Sequence, residues 1–232
     1  MPLSRAGGGG GLTKEGTGTW TLSSTNTFNG TTTISAGTLQ IGNGGTTGRL
    51  TATSGIVNNA SLVINRSDNF TQATDLGVAA IISGTGSLTQ AGTRTTTLTA
   101  VNTYSGDTIV NAGILSLGQI NPSNETSTVR IAADAVLDLA FTGTDVVDKL
   151  FIAGIQQPAG TYNSNHPSGA FTGTGTLQVT SGTPGFATWI TSTGLIGSAA
   201  NATADPDNDG LPNLIEFILG GQPNPANPSA NS

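Results

Sequence analysis

The sequence contains no cysteine and few charged or aromatic residues. Of its 232 residues, 9% are Asp, Glu, Lys or Arg and 5% are Phe, Trp or Tyr. Without cysteine the chain can form no disulfide, no thiol nucleophile and no cysteine-ligated zinc site. The scarcity of long charged helix formers excludes a mainly helical protein. No apolar run approaches the roughly 18 residues that would predict a membrane-spanning helix.

Positive charge is also scarce. Seven Lys and Arg against 13 Asp and Glu give a net charge of −6 and a sequence pI of about 4.4. The cations are scattered along the chain at Arg5, Lys14, Arg49, Arg66, Arg94, Arg130 and Lys149. Nucleic-acid binding needs a clustered basic surface, and attraction to anionic lipids needs the same, so both functions are disfavoured.

The chain is instead rich in threonine and glycine, with 39 Thr and 34 Gly, and 35% of its residues are hydrophobic. Threonine, valine and isoleucine favour strands, while glycine and asparagine favour the tight turns between them. This composition predicts an all-β chain.

An internal repeat dominates the sequence. Shifted by 76 positions, Leu12–Gly42 aligns without a gap with Leu88–Gly118, and 15 of the 31 positions are identical. A third, shorter echo at Gly175–Val179 resembles Gly37–Ile41. Self-similarity of this kind is typical of stacked repeat architectures.

Apolar residues alternate within each copy, as a half-buried strand requires. Two further pairs, Leu62 with Ile64 and Leu137 with Leu139, follow the same pattern. The alternating positions in the two copies are Ile34, Ala36, Leu39 and Ile41, and Val110, Ala112, Leu115 and Leu117. Each strand buries only two side chains, so the units must stack on one another to form a core.

Two architectures satisfy this pattern, a β-sandwich and a parallel β-helix. The dipeptide Asn29-Gly30 is a hairpin signal that suits a sandwich. Turn residues that recur between the copies, Asn26/Asn102 and Gly37/Gly113, favour the β-helix, in which corresponding residues are expected to lie above one another. The runs Thr31–Thr33 and Thr95–Thr97 are expected on its solvated faces. We therefore predict a parallel β-helix.

The repeat resembles a known family. Gly18-Thr19-Trp20-Thr21-Leu22, Ala36-Gly37-Thr38-Leu39-Gln40-Ile41-Gly42 and Asn102-Thr103-Tyr104-Ser105-Gly106-Asp107-Thr108 are similar to the autotransporter-associated β-strand repeat, also called the passenger-associated repeat. The resemblance implies a right-handed parallel β-helix, outside the cell or at the outer-membrane-associated surface of a Gram-negative bacterium. It implies a structural or adhesive role and brings no catalytic residues with it.

The composition divides the chain into four parts. We interpret residues 1–10 as a glycine-rich tail and expect a truncation point there. Residues 11–182 are predicted to form the β-helix, with repeats at 12–42 and 88–118. Residues 183–220 are predicted to form a helix-loop-helix-like segment, and residues 221–232 a Pro/Asn-rich tail or linker. Because no signal peptide precedes the repeat, we expect the chain to belong to a larger polypeptide.

The segment Asp205–Glu216 matches the calcium-loop pattern D-x-[DN]-x-[DN]-G-x₅-E at every specified position. Alternate carboxylates converge on one side, the glycine permits the sharp turn, and the final glutamate closes the shell with two oxygens. The predicted Ca²⁺ ligands are Asp205, Asp207, Asp209, Leu211 (through its carbonyl), Asn213 and Glu216. The alternative is a solvated acidic turn whose Asp and Asn cap a helix.

Pro212, at loop position eight, lacks the N–H that a paired EF-hand uses, so a solitary loop is expected. The segment resembles the calcium loops of dockerin-like and thrombospondin type 3-like repeats. That resemblance implies a structural Ca²⁺ that rigidifies a linker.

Other polar residues are weaker candidates for chemistry. His166 is the single histidine and precedes a proline, which favours a turn over a catalytic role. Asp134 and Asp138 have the spacing of a solvated strand face, although an acid/base pair is conceivable. Asp145, Asp148 and Lys149 are interpreted as a charged loop before a strand at Leu150–Ile155.

Three aromatic residues could form a sugar-stacking surface, namely Trp20, Phe28 and Tyr104. The alternative is that Phe28 and Tyr104 pack at a coil corner and Trp20 covers the open end of the helix. Three functions are therefore considered: a non-catalytic structural or adhesive stalk, which is favoured; a polysaccharide-binding module; and a polysaccharide-degrading enzyme. Expected partners of the stalk are surface glycans or other surface proteins.

Overall fold

Short strands that bury every second side chain wind into a parallel β-solenoid with three strands in most coils. A computed structural model describes residues 10–122, 124–182, 190, 193–208 and 210–219. The chain divides into two compact units, Met1–Gly182 and Thr183–Ser232. The first unit contains the solenoid, and the predicted parallel β-helix is confirmed there.

The strands follow one another around the coil as faces one, two and three. Face one contains β1 (Leu12–Lys14), β4 (Thr32–Ile34), β7 (Ile56–Asn58), β10 (Ile82–Gly84) and β13 (Thr103–Tyr104). Face two contains β2 (Thr19–Leu22), β5 (Thr38–Ile41), β8 (Ser61–Ile64), β11 (Ser87–Gln90), β14 (Thr108–Val110), β16 (Thr128–Ile131) and β19 (Lys149–Ile152), with β20 (Ile155–Gln156) antiparallel to β19. Face three contains the pair β3 (Thr25–Asn26) and β6 (Arg49–Leu50), then β9 (Phe70–Thr71), β12 (Thr95–Leu98), β15 (Ile114–Leu117), β17 (Val136–Leu139) and β22 (Phe171–Gly173).

A separate three-stranded sheet ends the first unit. It joins β18 (Thr144–Val147), β23 (Thr176–Val179) and β21 (Gly160–Tyr162), with β18 parallel and β21 antiparallel to β23. A four-residue helix, α1 (Gln72–Asp75), follows β9.

The core consists of columns of inward side chains that run from coil to coil. On face two, Leu39 pairs with Leu62, and Leu62 pairs with Leu88, all of them at most 1% exposed. Ile41 and Ile64 form the adjacent column. Burying each such side chain stabilises the fold by about 1.5–3 kcal/mol. The predicted inward positions Leu115, Leu117, Leu137 and Leu139 are buried as well.

Each repeat copy is longer than one coil, so its first two strands pair with its last two strands. In the first copy Leu12 is in register with Thr32 and Thr19 with Thr38; in the second, Leu88 is in register with Thr108 and Thr95 with Ile114. The two copies therefore use the same pairing offsets. The repeat encodes two adjacent strand pairs and the corner between them.

The two copies are rotated relative to one another by one face, which corrects the expected stacking of corresponding residues. β1 and β4 lie on face one, whereas their counterparts β11 and β14 lie on face two. Likewise β2 and β5 lie on face two and β12 and β15 on face three. The 76-residue interval is three coils plus one face: the coils from Leu12 to Thr32, from Thr32 to Ile56 and from Ile56 to Ile82 are 20, 24 and 26 residues long, and the next face begins at Ser87.

The recurring turn residues have the same local roles in both copies. Gly37 and Gly113 have φ of +67° and +60°, and a Cβ added to either would lie 2.4–2.6 Å from two carbonyl oxygens of the preceding coil. Asn26 and Asn102 are buried, and each donates Nδ2–H to the carbonyl two residues before it, Ser24 and Ala100. These residues fix the corners.

The expectation that the threonine runs lie on solvated faces is only partly correct. The middle residues Thr32 and Thr96 point inward and are 0% and 2% exposed. Their hydroxyls are satisfied inside, by Thr53 Oγ1 at 3.1 Å and Gln90 Oε1 at 2.6 Å. Strand alternation sends every second threonine to the core whatever its polarity.

Face one is interrupted once within the solenoid. No strand of the described chain lies between β13 and β18 on this face. The position is occupied by residues 120–122 and 124–127, which we call the face-one loop. Asn121 Nδ2 donates to the Tyr104 carbonyl of β13, and the amides of Asp148 and Lys149 donate to the Ser127 carbonyl.

The second unit contains a 3₁₀ turn and one helix among its described residues. The 3₁₀ turn is Gly197–Ala200, and the helix, α2, is Asn213–Leu219. Of the apolar segment 186–190, only Ile190 is described, and it is 7% exposed. No helix in the described part of the chain is long and apolar enough to cross a bilayer.

Candidate functional site

The acidic loop before α2 has a tight backbone closed by its own first carboxylate. The N–H of Gly210 donates to Asp205 Oδ2 at 3.1 Å. Asn208 and Gly210 have φ of +58° and +92°, in the left-handed region that asparagine and glycine tolerate best. A hydrogen bond from the sixth residue to the first carboxylate folds the loop around that carboxylate.

Asn213 fastens the end of the loop to the segment before it. Its Nδ2 group donates to the carbonyls of Ala199 and Asn201, both at 2.8 Å, and its backbone N–H donates to the Ala204 carbonyl at 2.8 Å. Both amide hydrogens are used, so the orientation of the amide is fixed. Asn213 thus connects the 3₁₀ turn, the loop and α2.

α2 buries its two polar side chains and exposes three of its apolar ones. Asn213 and Glu216 are both 0% exposed, whereas Leu214, Ile215 and Ile218 are 40%, 40% and 66% exposed. Burying a carboxylate is unfavourable unless hydrogen bonds or a cation compensate for the lost hydration. The buried face of α2 therefore contains both of its polar side chains.

Two buried oxygens of the loop have no hydrogen-bond partner, Asp205 Oδ1 and Asn213 Oδ1. Asp207 and Leu211 are half-buried in the same loop. Asp209 lies outside the described residues. Among the residues that are described, no three His, Cys, Asp or Glu side chains form a group that could hold a metal ion.

The candidates for catalytic chemistry are dispersed. His166 Nδ1 lies 2.8 Å from Ser168 Oγ within a turn, and the ring centroid is 5.1 Å from that of Tyr162. Asp134 adopts φ of +64° in the turn between β16 and β17. Asp138 accepts hydrogen bonds from the hydroxyls of Ser116 and Thr172 across face three.

Asp145 does not lie in a charged loop, which corrects the sequence interpretation. It is the second residue of β18 and is 1% exposed, because strand alternation points it inward. The next strand is also shorter than predicted: β19 ends at Ile152, and Ala153 and Gly154 turn the chain into β20. The sequence of Thr144–Val147 does not show whether Asp145 points inward or outward, because this depends on the register of the strand.

The three aromatic residues do not form one exposed surface. Tyr104 is 2% exposed, and its hydroxyl lies 2.8 Å from Thr108 Oγ1; burial raises the pKa of this phenol to about 12. Phe28 is partly buried against the core. Trp20 is 43% exposed and pairs with Leu39, so it lies at the outermost described end of an inward column. Both Phe28 and Tyr104 pack against the core, as predicted, but Tyr104 does so from strand β13 and not from a corner.

Two segments of the solenoid match a known repeat family. Residues 12–41 and 88–117 match the passenger-associated-transport-repeat family. These are the two segments whose first two strands pair with their last two strands. The position of the predicted repeat and its resemblance to the passenger-associated repeat are therefore confirmed.

One autotransporter adhesin is similar to the chain over 75 residues. It is the adhesin BmaC autotransporter of Brucella suis biovar 1 (strain 1330), with 47% identity over 32% of this chain. The chain spans 2% of that adhesin's length. No solved structure matches the chain.

Proposed function

We propose that this chain is a non-catalytic structural or adhesive stalk segment of a secreted or surface-attached bacterial protein. The observation that supports it most directly is that residues 12–41 and 88–117 match the passenger-associated-transport repeat and that each segment pairs its first strands with its last ones. Similarity to an adhesin supports the surface location. Surface glycans or other surface proteins are the proposed partners.

Surface display of the chain tests this role. Bacteria that display the wild-type chain are expected to adhere to a glycan-bearing or protein-coated surface more than bacteria that display none. A glycan-array signal that survives Trp20→Ala would agree with an adhesive stalk. A signal that is lost in Trp20→Ala would place the binding at this aromatic side chain and identify a polysaccharide-binding module instead. Turnover of an acidic polysaccharide by the purified chain would identify an enzyme and refute the stalk.

We also propose that the loop at 205–216 binds one Ca²⁺ and stiffens the second unit. Support comes from the bond between Gly210 N–H and Asp205, the buried Glu216, and the unpartnered oxygens of Asp205 and Asn213. Hard carboxylate and amide oxygens suit Ca²⁺. Because Asn213 ties the loop to the carbonyls of Ala199 and Asn201, bound Ca²⁺ would order the segment before the loop too.

Calorimetric titration tests the calcium site. We expect one Ca²⁺ per chain with a dissociation constant of about 10⁻⁶–10⁻³ M, lost in Asp205→Ala and in Glu216→Ala. Asp134→Ala, which removes a carboxylate from the solenoid instead of the loop, is the control and should bind Ca²⁺ as the wild type does. Proteolysis between residues 193 and 208 should slow when Ca²⁺ is added.

The absence of heat and of any thermal shift at millimolar Ca²⁺ would refute the site. The loop would then be an acidic turn that caps α2. The stalk proposal, which depends on the repeats, would remain.

A further inference from the structure

The interruption of face one is bridged by polar side chains instead of a strand. Asn124 Nδ2 donates to Asp145 Oδ2 of β18 at 3.1 Å, and Asn121 binds the Tyr104 carbonyl of β13 at 2.8 Å. Ser127 Oγ donates to the Asn124 carbonyl at 2.7 Å and closes the face-one loop on itself. The loop thus joins the sheet that ends at β13 to the sheet that starts at β18.

This bridge contains two buried oxygens that lack a donor. Asp145 and Asn124 are 1% and 3% exposed, and neither Asp145 Oδ1 nor Asn124 Oδ1 has a hydrogen-bond partner. An ionised carboxylate can only accept, as can an amide oxygen. A buried acceptor without a donor is destabilising by about 1–3 kcal/mol, and more when it is charged.

Protonation of Asp145 would supply one of the missing donors. A protonated carboxyl donates its O–H, and an acid and an amide are complementary because each then offers one donor and one acceptor. The N–H half of that complementary pair is already present between Asn124 and Asp145. The two unpartnered oxygens are the atoms that the second half would join.

Few titratable groups surround Asp145. The Asp145 carboxylate contributes to raising the pKa of the Tyr104 phenol on β13, and this phenol stays neutral across the physiological range. Glu125 of the loop is exposed, and Asp107 faces Arg130 at 3.7 Å. β14 and β23 contain no ionisable residue. No cation in the described chain forms an ion pair with Asp145. Lys149, four residues further along the chain, is paired with Asp148 instead.

We propose that the face-one loop is a proton-operated latch. Uptake of a proton from solvent by Asp145 fastens the loop across the break by pairing the carboxyl with Asn124. Loss of the proton leaves a buried negative charge at the break and loosens the loop. The latch belongs to the solenoid and is independent of the calcium site.

The direction of the pH effect follows from burial. Desolvation raises the pKa of Asp145 from 3.8 to about 6, although the hydrogen bond from Asn124 and the nearby backbone amides of Val146 and Asn121 oppose the rise. The folded chain therefore binds a proton more tightly than the unfolded chain. Stability contributed by this group is present below about pH 4 and is lost as the pH rises through 6. A pKa change of about two units corresponds to roughly a hundredfold change in the unfolding equilibrium constant.

Urea unfolding of the full chain and of Asp145→Asn at several pH values tests the latch. At pH 7.5 we expect the unfolding constant of the wild type to exceed that of Asp145→Asn by up to about a hundredfold. Below pH 4.5 the ratio should fall toward a constant value near one. Glu125→Gln, an exposed acid on the same loop, is the control and should keep the wild-type profile. A ratio that does not change between pH 7.5 and 4.5 would overturn the proposal.

Measurements on the wild-type chain keep the test valid if Asp145→Asn does not fold. The ¹³C resonance of the Asp145 carboxyl should titrate with a midpoint near 6. After correction for intrinsic exchange, the amides of residues 124–127 should become more protected on acidification across the same range. A midpoint near 4, or protection that falls on acidification through pH 6, would show that no latch exists.

Discussion

The two repeat copies perform the same structural task with different side chains. In the first copy Lys14 Nζ donates to the carbonyls of Gly16 and Ala36, and its ammonium lies 5.6 Å from the ring centroid of Trp20. The counterpart of Lys14 in the second copy is Gln90, which donates to the carbonyls of Gly92 and Arg94. The counterpart of Trp20 is Thr96, whose hydroxyl donates to Gln90 Oε1.

The comparison separates what the coil requires from what it tolerates. Each corner needs a buried donor for its turn carbonyls, and an ammonium and an amide both provide one. The partner changes with the donor: an aromatic ring suits the cation, and a hydroxyl suits the amide. The corner glycine and the corner asparagine, by contrast, are the same residue type in both copies.

Substitution of the corner glycines should have the largest effect. Gly113→Ala and Gly37→Ala each place a Cβ within 2.6 Å of two carbonyl oxygens at positive φ. The left-handed backbone alone is unfavourable by about 1–2 kcal/mol, so we expect a loss of at least about 3 kcal/mol in the free energy of unfolding. Urea denaturation measures it.

Gly154→Ala is the control for the conformational part of this effect. Gly154 has φ of +81°, but an added Cβ would meet no atom within 4 Å. Its substitution should therefore show the backbone term alone. Equal losses in Gly154→Ala and Gly113→Ala would mean that the carbonyls of the preceding coil do not constrain the corner.

Substitution of the corner asparagines should distinguish the two copies. Asn26 Nδ2 donates to the carbonyls of Ser24 and Arg49. Asn102 also accepts hydrogen bonds from Gln72 Nε2 at 2.7 Å and from the Ile82 amide at 2.9 Å. Asn102→Ala breaks a buried side-chain pair with Gln72 in addition to bonds with the backbone, so we expect it to lose about 3 kcal/mol, against about 1–2 kcal/mol for Asn26→Ala.

A double-mutant cycle between Asn102 and Gln72 checks this explanation. Because the two side chains bond each other, Gln72→Ala and Asn102→Ala should be non-additive. Additive losses, or a larger loss at Asn26 than at Asn102, would contradict the assignment.

Alternation and the repeat were enough to predict the parallel β-helix and the inward positions of Leu39, Ile41, Leu115 and Leu117. They could not predict the rotation of the copies by one face, because the lengths of the intervening coils decide it and those coils lack the repeat. The inward placement of Asp145 was missed for a related reason: a one-residue change of register moves a side chain to the opposite face. The predicted calcium ligands depend on spacing within one loop, which sequence shows directly.

Exchange of the donor between copies should have the smallest effect. Lys14→Gln keeps donors for the carbonyls of Gly16 and Ala36 but loses the contact with Trp20, which is worth about 0.5–1 kcal/mol. We expect Lys14→Gln to lose about 1 kcal/mol, and Lys14→Met to lose more because the buried carbonyls then have no side-chain donor.

The double variant Lys14→Gln with Trp20→Thr recreates the pair found in the second copy. If the donor and its partner are exchangeable as a pair, the double variant should lose less free energy of unfolding than the sum of the losses in Lys14→Gln and Trp20→Thr. Urea unfolding of the wild type and the three variants measures these losses. Additivity within about 0.3–0.5 kcal/mol would show that the two positions do not interact. In that case the different pairs in the two copies would reflect the positions separately, with Trp20 acting only as apolar cover for the column that continues through Leu39.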